Sequence, residues 1–444
     1  MSLENDQETP TLSNKKVLYD LTYATRGFSG IPGDTRSVAR ILISLFGHNC
    51  DLLLFPKSYV KRRYFRNISP SQLSLYLGVA LKINSGRTVL PARVYKVLLL
   101  LQSLSFNRKV QLLKVHEELM GYSLESVNLG RSANFTGELL VATIGNSTRF
   151  ARSLKRKSFK INTSKYDFFV QQQIDPISVS RNTKHLVRLH DILPITHPQY
   201  FDDFAIYVFE RGLRSLLKDK KILWVFDTNA SALEFQRIFG HEREVKYIPC
   251  LVGSQFQKIP AKCTKTENLI VVINTIEPRK NVSKVIENFR SAKNIGLIPM
   301  DYTLAILGTR GWQDETLYQR LIEKKFGSDV EFIESPSNEI VADYLERSRI
   351  VVSASNAEGF GLPPLEGMLF GCIPVVSDIP QHRETLGDHG FYFNLEDNSL
   401  ATALQGAHLK SISSNSTDYS KIQNHVVANF GENRIHEMWK NILK

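Results

Sequence analysis

The chain has 444 residues, more than one ordinary hydrophobic core accommodates, so it divides most naturally into two domains of about 200 residues each. A hydrophobic content of 42% with a full set of aromatics excludes wholesale disorder, and no apolar run is long enough to predict a membrane-spanning helix. The net charge of +12 is concentrated: Leu52 to His116 contains no acidic residue and carries twelve Lys and Arg, which equals the excess of the whole chain.

Residues 1–15 are polar and mixed in charge, which does not match a secretory leader. Lys16–Leu21 predicts the first strand, and Arg26-Gly-Phe-Ser-Gly-Ile-Pro-Gly33 a glycine-rich turn. Asp34 or Thr35 is placed to cap the following helix, in which Val38, Ile41, Leu42, Leu45 and Phe46 repeat at helical spacing. Residues 55–165 read as mostly helical insertions. Their basic, acid-free and partly apolar character (Val94–Leu101 beside the cations) suits an anionic membrane surface first. A solvated basic face and a nucleic-acid contact stay open as weaker readings. A second basic cluster spans Arg149 to Lys160.

Strands are predicted at Tyr166–Gln171, His185–Leu189, Ile222–Phe226 and Val245–Pro249, with helices at Glu210–Leu217 and about Ser231–Phe239. Residues 254–266 read as a linker. Thereafter strands and helices alternate: Leu269–Asn274, Val282–Asn294, Thr303–Leu307, Glu315–Phe326, Val330–Ile333, Asn338–Arg347 and Ile350–Ser355. Such alternation predicts a parallel sheet between helices. A last helix is predicted from Glu432 to Leu443. The four cysteines (Cys50, Cys250, Cys263, Cys372) show no metal or disulfide spacing, which suits a reducing cytoplasm.

The densest chemistry lies in Glu358-Gly-Phe-Gly-Leu-Pro-Pro-Leu-Glu366. Two carboxylates eight positions apart flank a glycine turn that leads from the strand ending at Ser355 into a helix, with a further strand at Cys372–Ser377. In an open α/β sheet the carboxyl ends of strands are where ligands bind. Gly359 and Gly361 permit close backbone approach, and a helix start offers N–H groups to phosphate. Pro363 and Pro364 suit a first helical turn. A phosphate together with sugar hydroxyls would use this equipment. Arg279 and Lys280 stand between a strand and a helix that Asn281 can cap, a place suited to a pyrophosphate. Each of these features also has a plain structural reading: dipole-compensating glutamates, an ordinary turn, or a surface Arg-Lys pair.

This segment resembles the E-x7-E signature of retaining glycosyltransferases of family 4, which have the GT-B fold. Val272-Ile-Asn-Thr-Ile-Glu-Pro-Arg-Lys-Asn281, Leu307-Gly-Thr-Arg-Gly-Trp312 and Leu189-His-Asp-Ile-Leu-Pro194 resemble three further stretches of that family, in the expected order. The resemblance covers about residues 185–395, extends more weakly over 16–46, and is poor for 55–165. It implies an α/β architecture of two Rossmann-like domains with a cleft between them: an acceptor domain at 1–253, a nucleotide-sugar donor domain at 254–430, and a helix at 431–444 crossing back.

By resemblance, Glu366 binds the ribose hydroxyls and Glu358 lies near the transferred sugar. Arg279 and Lys280 hold the diphosphate, and Gly359, Phe360, Gly361 and Leu362 contribute backbone contacts. Gly30 and Gly33 approach the donor and acceptor, and His190 faces the donor sugar. Asp191 would orient His190 or cap the turn before Pro194, and Trp312 reads as a packing residue. Asn274 departs from the family, which usually carries Gly there.

The resemblance further implies a metal-free, retaining transfer of a hexose to a surface polysaccharide or lipid-linked glycan. A GDP-sugar and mannose are the first choice, with bacterial polysaccharide and O-antigen mannosyltransferases the nearest kind. The implied location is cytoplasmic, with peripheral attachment to the inner membrane through residues 52–116. An inactive scaffold of the same fold and a nucleotide-sugar epimerase remain alternatives.

Overall fold

The computed structural model describes residues 12, 14–25, 30–54, 111–114, 139–143, 159–260, 265, 267–311, 314–397 and 399–444. The basic segment at 55–110, most of residues 1–15, Cys263 and Trp312 lie outside the described residues. Two compact units emerge: one comprises 1–226, 235–248 and 436–444, the other 227–234 and 249–435.

The first unit opens with strand β1 (Val17–Asp20) and helix α1 (Ile31–Phe46), followed by β2 (Cys50–Leu54), β3 (Gln111–Lys114), β4 (Leu139–Thr143), β5 (Phe159–Lys160), β6 (Phe168–Gln172), β7 (Ile177–Ser178) and β8 (Lys184–Arg188). Then come α2 (Leu193–Thr196), α3 (Asp203–Leu216), β9 (Leu223–Phe226), α4 (Asn229–Phe239), whose residues up to 234 belong to the second unit, and β10 (Val245–Tyr247). Eight of these strands form one sheet in the order β10-β9-β8-β6-β1-β2-β4-β3. Every pairing in it is parallel except β3 with β4. Where 55–165 was expected to be mostly helical, its described pieces are therefore strands; short apolar runs have extended the sheet, where each backbone group finds a ladder partner. Central strands β1, β6 and β9 are buried along their whole length, as a sheet covered on both faces requires.

α1 begins at Ile31, earlier than its expected cap at Asp34 or Thr35. Gly30 takes the cap position at φ +63°, and Pro32 occupies the first turn, where its missing N–H removes no helix bond. Gly33 thus sits inside the helix, its carbonyl accepting from Ser37 Oγ at 3.0 Å.

The second unit is built on β11 (Leu269–Ile276), α5 (Val282–Asn294), β12 (Thr303–Arg310), α6 (Glu315–Ile322), β13 (Val330–Glu334), α7 (Asn338–Arg347), β14 (Ile350–Ser353), α8 (Leu362–Leu369), β15 (Ile373–Ser377), α9 (Pro380–Leu386) and β16 (Phe391–Phe393). Helices α10 (Ser399–Ser413), α11 (Ser416–Phe430) and α12 (Glu432–Leu443) complete the chain. The six strands run in the order β13-β12-β11-β14-β15-β16, all parallel. This is the doubly wound order, in which the connections leave in opposite directions from β11 and β14. Ligand-binding loops therefore belong at the carboxyl ends of these two neighbours. Their cores are wholly apolar: Ile270, Val271 and Val272 in β11, and Ile350, Val351 and Val352 in β14, are completely buried. β11 runs two residues beyond its expected end at Asn274, because its ladder with β12 continues to Ile276–Arg310. Conversely α6 stops at Ile322, short of Phe326, where Lys324 takes a left-handed conformation at φ +53°. Among the described residues no helix is long and apolar enough to cross a membrane.

Candidate active site

The loops after β11 and β14 bring three predicted residues together. After β11 the chain turns through a short 3-10 segment, Pro278–Lys280, which projects both cations toward the loop that follows β14. Lys280 Nζ donates to Glu358 Oε1, and Arg279 donates to Glu358 Oε2 at 3.0 Å. Ser355 Oγ donates to Glu358 Oε1 at 2.5 Å. Glu277 Oε1 accepts from the other arm of Arg279 at 2.7 Å, and the Ala357 carbonyl accepts at 2.6 Å. Burial alone would push the Glu358 carboxyl upward, but Lys280 and Arg279 beside it hold it well below the usual carboxylate range. Glu358 is therefore ionised, buried and fixed by two positive groups.

Asn281 stands at the cap of α5 as expected, but its side chain does not cap. It adopts a left-handed backbone (φ +49°), which Asn tolerates, and donates Nδ2 to the Ala354 carbonyl at 2.8 Å. Arg279's carbonyl in turn accepts from Asn356 N at 2.9 Å. The two loops are thus stitched by backbone and amide bonds before any charged contact forms.

The turn between the carboxylates is shaped by Gly361, at φ +85°, where a side chain would be strained. Gly359 has no such angle; its carbonyl accepts from Thr228 Oγ1 at 3.0 Å and Ser231 Oγ at 3.3 Å. These two hydroxyls begin α4, whose Asn229 and Ala230 N–H groups donate to Glu384 at 2.7 and 2.8 Å. Phe360 is buried edge-on against Phe430, with ring centroids 5.5 Å apart, and Leu362 opens α8. The expected bouquet of N–H donors at this helix start is smaller than it looked, because Pro363 and Pro364 have none. The N–H groups left at this turn are those of Gly359 through Leu362.

Glu366 lies buried in α8, and Gln255 Nε2 donates to its Oε1 at 2.6 Å. Burial raises its carboxyl to about 7, and the Gln255 bond opposes the rise only in part. A carboxyl poised near neutrality, held by one amide, has acceptor capacity left for hydroxyl donors. Gln255, Ser355, Glu277, Thr228 and Ser231 were not among the predicted site residues. Gln255, Thr228 and Ser231 reach the site through contacts between separate segments, whereas Glu277 lies within a recognised motif and Ser355 three positions before Glu358.

Asn274 is nine-tenths buried, and neither its Oδ1 nor its Nδ2 has a hydrogen-bond partner among the described residues. Its neighbour across the ladder is Gly308, where an added Cβ would meet the Asn274 carbonyl at 2.1 Å.

The remaining predicted residues belong to the first unit. His190, just past β8, is buried, its Nε2 3.8 Å from Asp34 Oδ2 in the first turn of α1. Asp34 is held bidentately by Arg188, at 2.7 and 2.8 Å, and Arg188 also donates to the Ile248 carbonyl at 2.8 Å. Burial would raise Asp34's carboxyl, but Arg188 and His190 keep it lowered. Asp191 Oδ1 accepts from Leu193 N at 3.0 Å, which closes the turn before Pro194. Gly30 and Gly33 flank the same helix start as Asp34.

Comparison with known proteins bears on both units. The family model described as "Glycosyl transferases group 1" matches residues 255–423. The matched stretch lies wholly within the second unit. The curated O-antigen chain mannosyltransferase B of Escherichia coli is 28% identical over 232 residues, which cover 49% of this chain and 59% of the relative. O-antigen chain mannosyltransferase RfbU of Salmonella typhimurium is 27% identical over 215 residues, covering 48% and 57%. Serotype-specific mannosyltransferase WbdA of Escherichia coli is 31% identical over 127 residues, covering 28% and 15%. The chain thus spans less than two thirds of the length of each of these relatives.

Solved structures match nearly the whole chain at lower identity. Sucrose-phosphate synthase of Thermosynechococcus elongatus has a TM-score of 0.61 at 12% identity, covering 96% of this chain and 98% of that one. Anabaena HepE in complex with UDP-glucose has a TM-score of 0.58 at 13% identity, covering 97% and 99%. At such identity the likeness shows the fold, the GT-B architecture of two Rossmann-like domains.

Proposed function

We propose that this chain is a hexosyltransferase that moves a hexose, with mannose favoured, from a nucleotide-diphosphate sugar to a surface polysaccharide or lipid-linked glycan. The observation that carries this reading is the Arg279–Lys280–Glu358 cluster, in the same compact unit as the buried Glu366, whose carboxyl accepts from Gln255. A donor of this class presents a diphosphate and two ribose hydroxyls, matching a pair of cations and a carboxylate with acceptor capacity. Mannose and a GDP-sugar are favoured by the named activity of the curated relatives; the UDP-glucose complex of HepE supports a nucleotide sugar of some kind.

In this reading the bond between the anomeric carbon and the diphosphate oxygen breaks, and its electron pair leaves with the diphosphate. Arg279 and Lys280 stabilise that growing negative charge, and their two fixed positive charges make a metal unnecessary for this role. Glu358, ionised and immobilised, favours positive charge at the anomeric carbon. The acceptor hydroxyl bonds to that carbon and passes its proton to an oxygen of the departing diphosphate, on the same face, so configuration is retained. Residues 52–116 would hold the protein at an anionic membrane surface on the cytoplasmic side.

The test is a panel of nucleotide sugars with a mannan-type or lipid-linked acceptor, following nucleotide release and the anomeric configuration of the product. Acceptor-dependent release with a retained linkage is expected, most strongly from GDP-mannose. Epimerised donor in the absence of acceptor would replace this reading with an epimerase, and absence of donor binding would replace it with a scaffold.

A further inference from the structure

The turn between Glu358 and Leu362 is bordered by a histidine to which the reaction above gives no task. His382, in the first turn of α9, is completely buried. Its Nδ1 lies 2.9 Å from the Ser377 carbonyl oxygen and 3.3 Å from Ser377 Oγ, whose own hydrogen goes to the Ser355 carbonyl at 2.6 Å. A carbonyl oxygen only accepts, so Nδ1 carries the proton, and the neutral ring keeps a bare lone pair on Nε2. Burial also disfavours the charged ring, with nearby Glu358 opposing that effect. Nε2 is enclosed and has no hydrogen-bond partner among the described residues.

The position of this lone pair is informative. A Cβ built on Gly361 would stand 3.0 Å from Cδ2 and 3.3 Å from Nε2, so the ring lies directly against the turn that links the two carboxylates. Glu358 and Lys280 are both near enough to act on the ring electrostatically. A deprotonated phosphate offers only acceptors and cannot pair with a lone pair, whereas a hydroxyl can donate to it. We propose that His382 Nε2 accepts a hydrogen bond from a hydroxyl of the hexose carried by the donor, which makes His382 a sugar-selecting residue of this site. The proposal rests on the nucleotide-sugar reading above. In the present conformation the Gly361 backbone covers Nε2, so engagement includes a shift of that turn, which the absence of side chains at Gly359 and Gly361 makes feasible.

The experiment compares calorimetric affinities of the full chain for GDP and for GDP-mannose, and for UDP and UDP-glucose, in wild type and in His382→Phe. Phenylalanine keeps a flat ring and removes the lone pair. The expected result is a loss of about tenfold in affinity for the nucleotide sugar with affinity for the bare nucleoside diphosphate nearly unchanged. An unchanged ratio of the two affinities would overturn the inference while leaving the donor-site reading intact. A wild type that binds none of the four ligands would overturn both. Should the variant fail to fold, histidine-selective 15N spectra of the His190→Ala protein supply the readout. An unprotonated Nε2 signal that moves when the nucleotide sugar is added, but not with the nucleoside diphosphate, supports the inference. A signal that stays in place under both ligands defeats it.

Discussion

Gln255 donates its side-chain amide to Glu366 at 2.6 Å, joining the stretch between β10 and β11 to the middle of α8 across 111 positions of sequence. That bond fixes the orientation of a carboxyl whose protonation lies near neutrality, and two consequences follow for pH. Burial has raised the folded-state value to about 7 from an ordinary 4.5, so the neutral form is the one the folded protein favours. Its contribution to stability is complete below about pH 4.5 and is lost as pH rises through 7. Ribose hydroxyls, by contrast, donate best to the ionised form. Affinity for a nucleoside diphosphate is therefore expected to strengthen by up to about tenfold between pH 6 and pH 8. Thermal-shift titrations at several pH values check this, with Glu366→Gln as the control that should weaken binding and flatten the profile.

Lys280→Ala is expected to remove turnover, by about a hundredfold or more, since it deletes a cation proposed to stabilise the leaving diphosphate. It should also lower stability by roughly 3 kcal/mol, because Glu358 would remain buried with one cation fewer. Pairing it with Glu358→Gln should recover much of that stability and none of the activity. Denaturant melts of the single and double variants, set beside nucleotide release, separate the two effects. Equal stability of Lys280→Ala and wild type would argue that the pair is not buried as described.

Asn274→Val exchanges an amide with two unsatisfied atoms for an apolar side chain suited to a central strand. A gain of about 1 kcal/mol in unfolding free energy is expected. If the amide served only the fold, stability would instead fall; calorimetric melting of the two proteins decides.

Asp34→Asn leaves Arg188 buried against a neutral amide and takes the charge away from His190. A destabilisation of about 3 kcal/mol is expected, and denaturant melts check it; equal stability of the variant and wild type would mean that the Arg188–Asp34 pair does not hold this unit together.

Replacing Thr228 by Val and Ser231 by Ala removes both hydroxyls from the Gly359 carbonyl. Since both hydroxyls hold the Gly359 carbonyl, the expected signature of a positioning role is a several-fold fall in kcat with a smaller change in KM. Steady-state kinetics with a saturating acceptor test it, and a change confined to KM would count against a positioning role.

The sequence was most legible where local rules act alone. Val282–Asn294, Asn338–Arg347 and Glu432–Leu443 are helices with the expected bounds, because apolar residues repeat there at helical spacing, helped by the Ser337 cap in the second. The same holds for the strand–glycine turn–helix order around Glu358 and for the convergence of Arg279 and Lys280 upon it. What stayed hidden depends on tertiary pairing. Gln255 lies in a stretch poor in apolar residues that reads as a linker, and nothing local announces that it meets Glu366. Asp34 looked like a cap because capping and salt bridging use the same carboxylate; only the folded β8 brings Arg188 to it. Asn281 was correctly placed at the start of α5, yet its amide serves the neighbouring loop, an option open once the backbone turns left-handed.

The doubly wound order of the second sheet has one more implication. Because the connections diverge from β11 and β14, the Glu277–Lys280 segment and the Asn356–Gly361 segment hang from adjacent strands without sharing a helix. Grafting either segment from another member of the family should thus disturb only its own half of the hydrophobic packing. Selectivity for the donor can drift piece by piece along lineages, provided that the stitches at Asn281 and Asn356 are preserved.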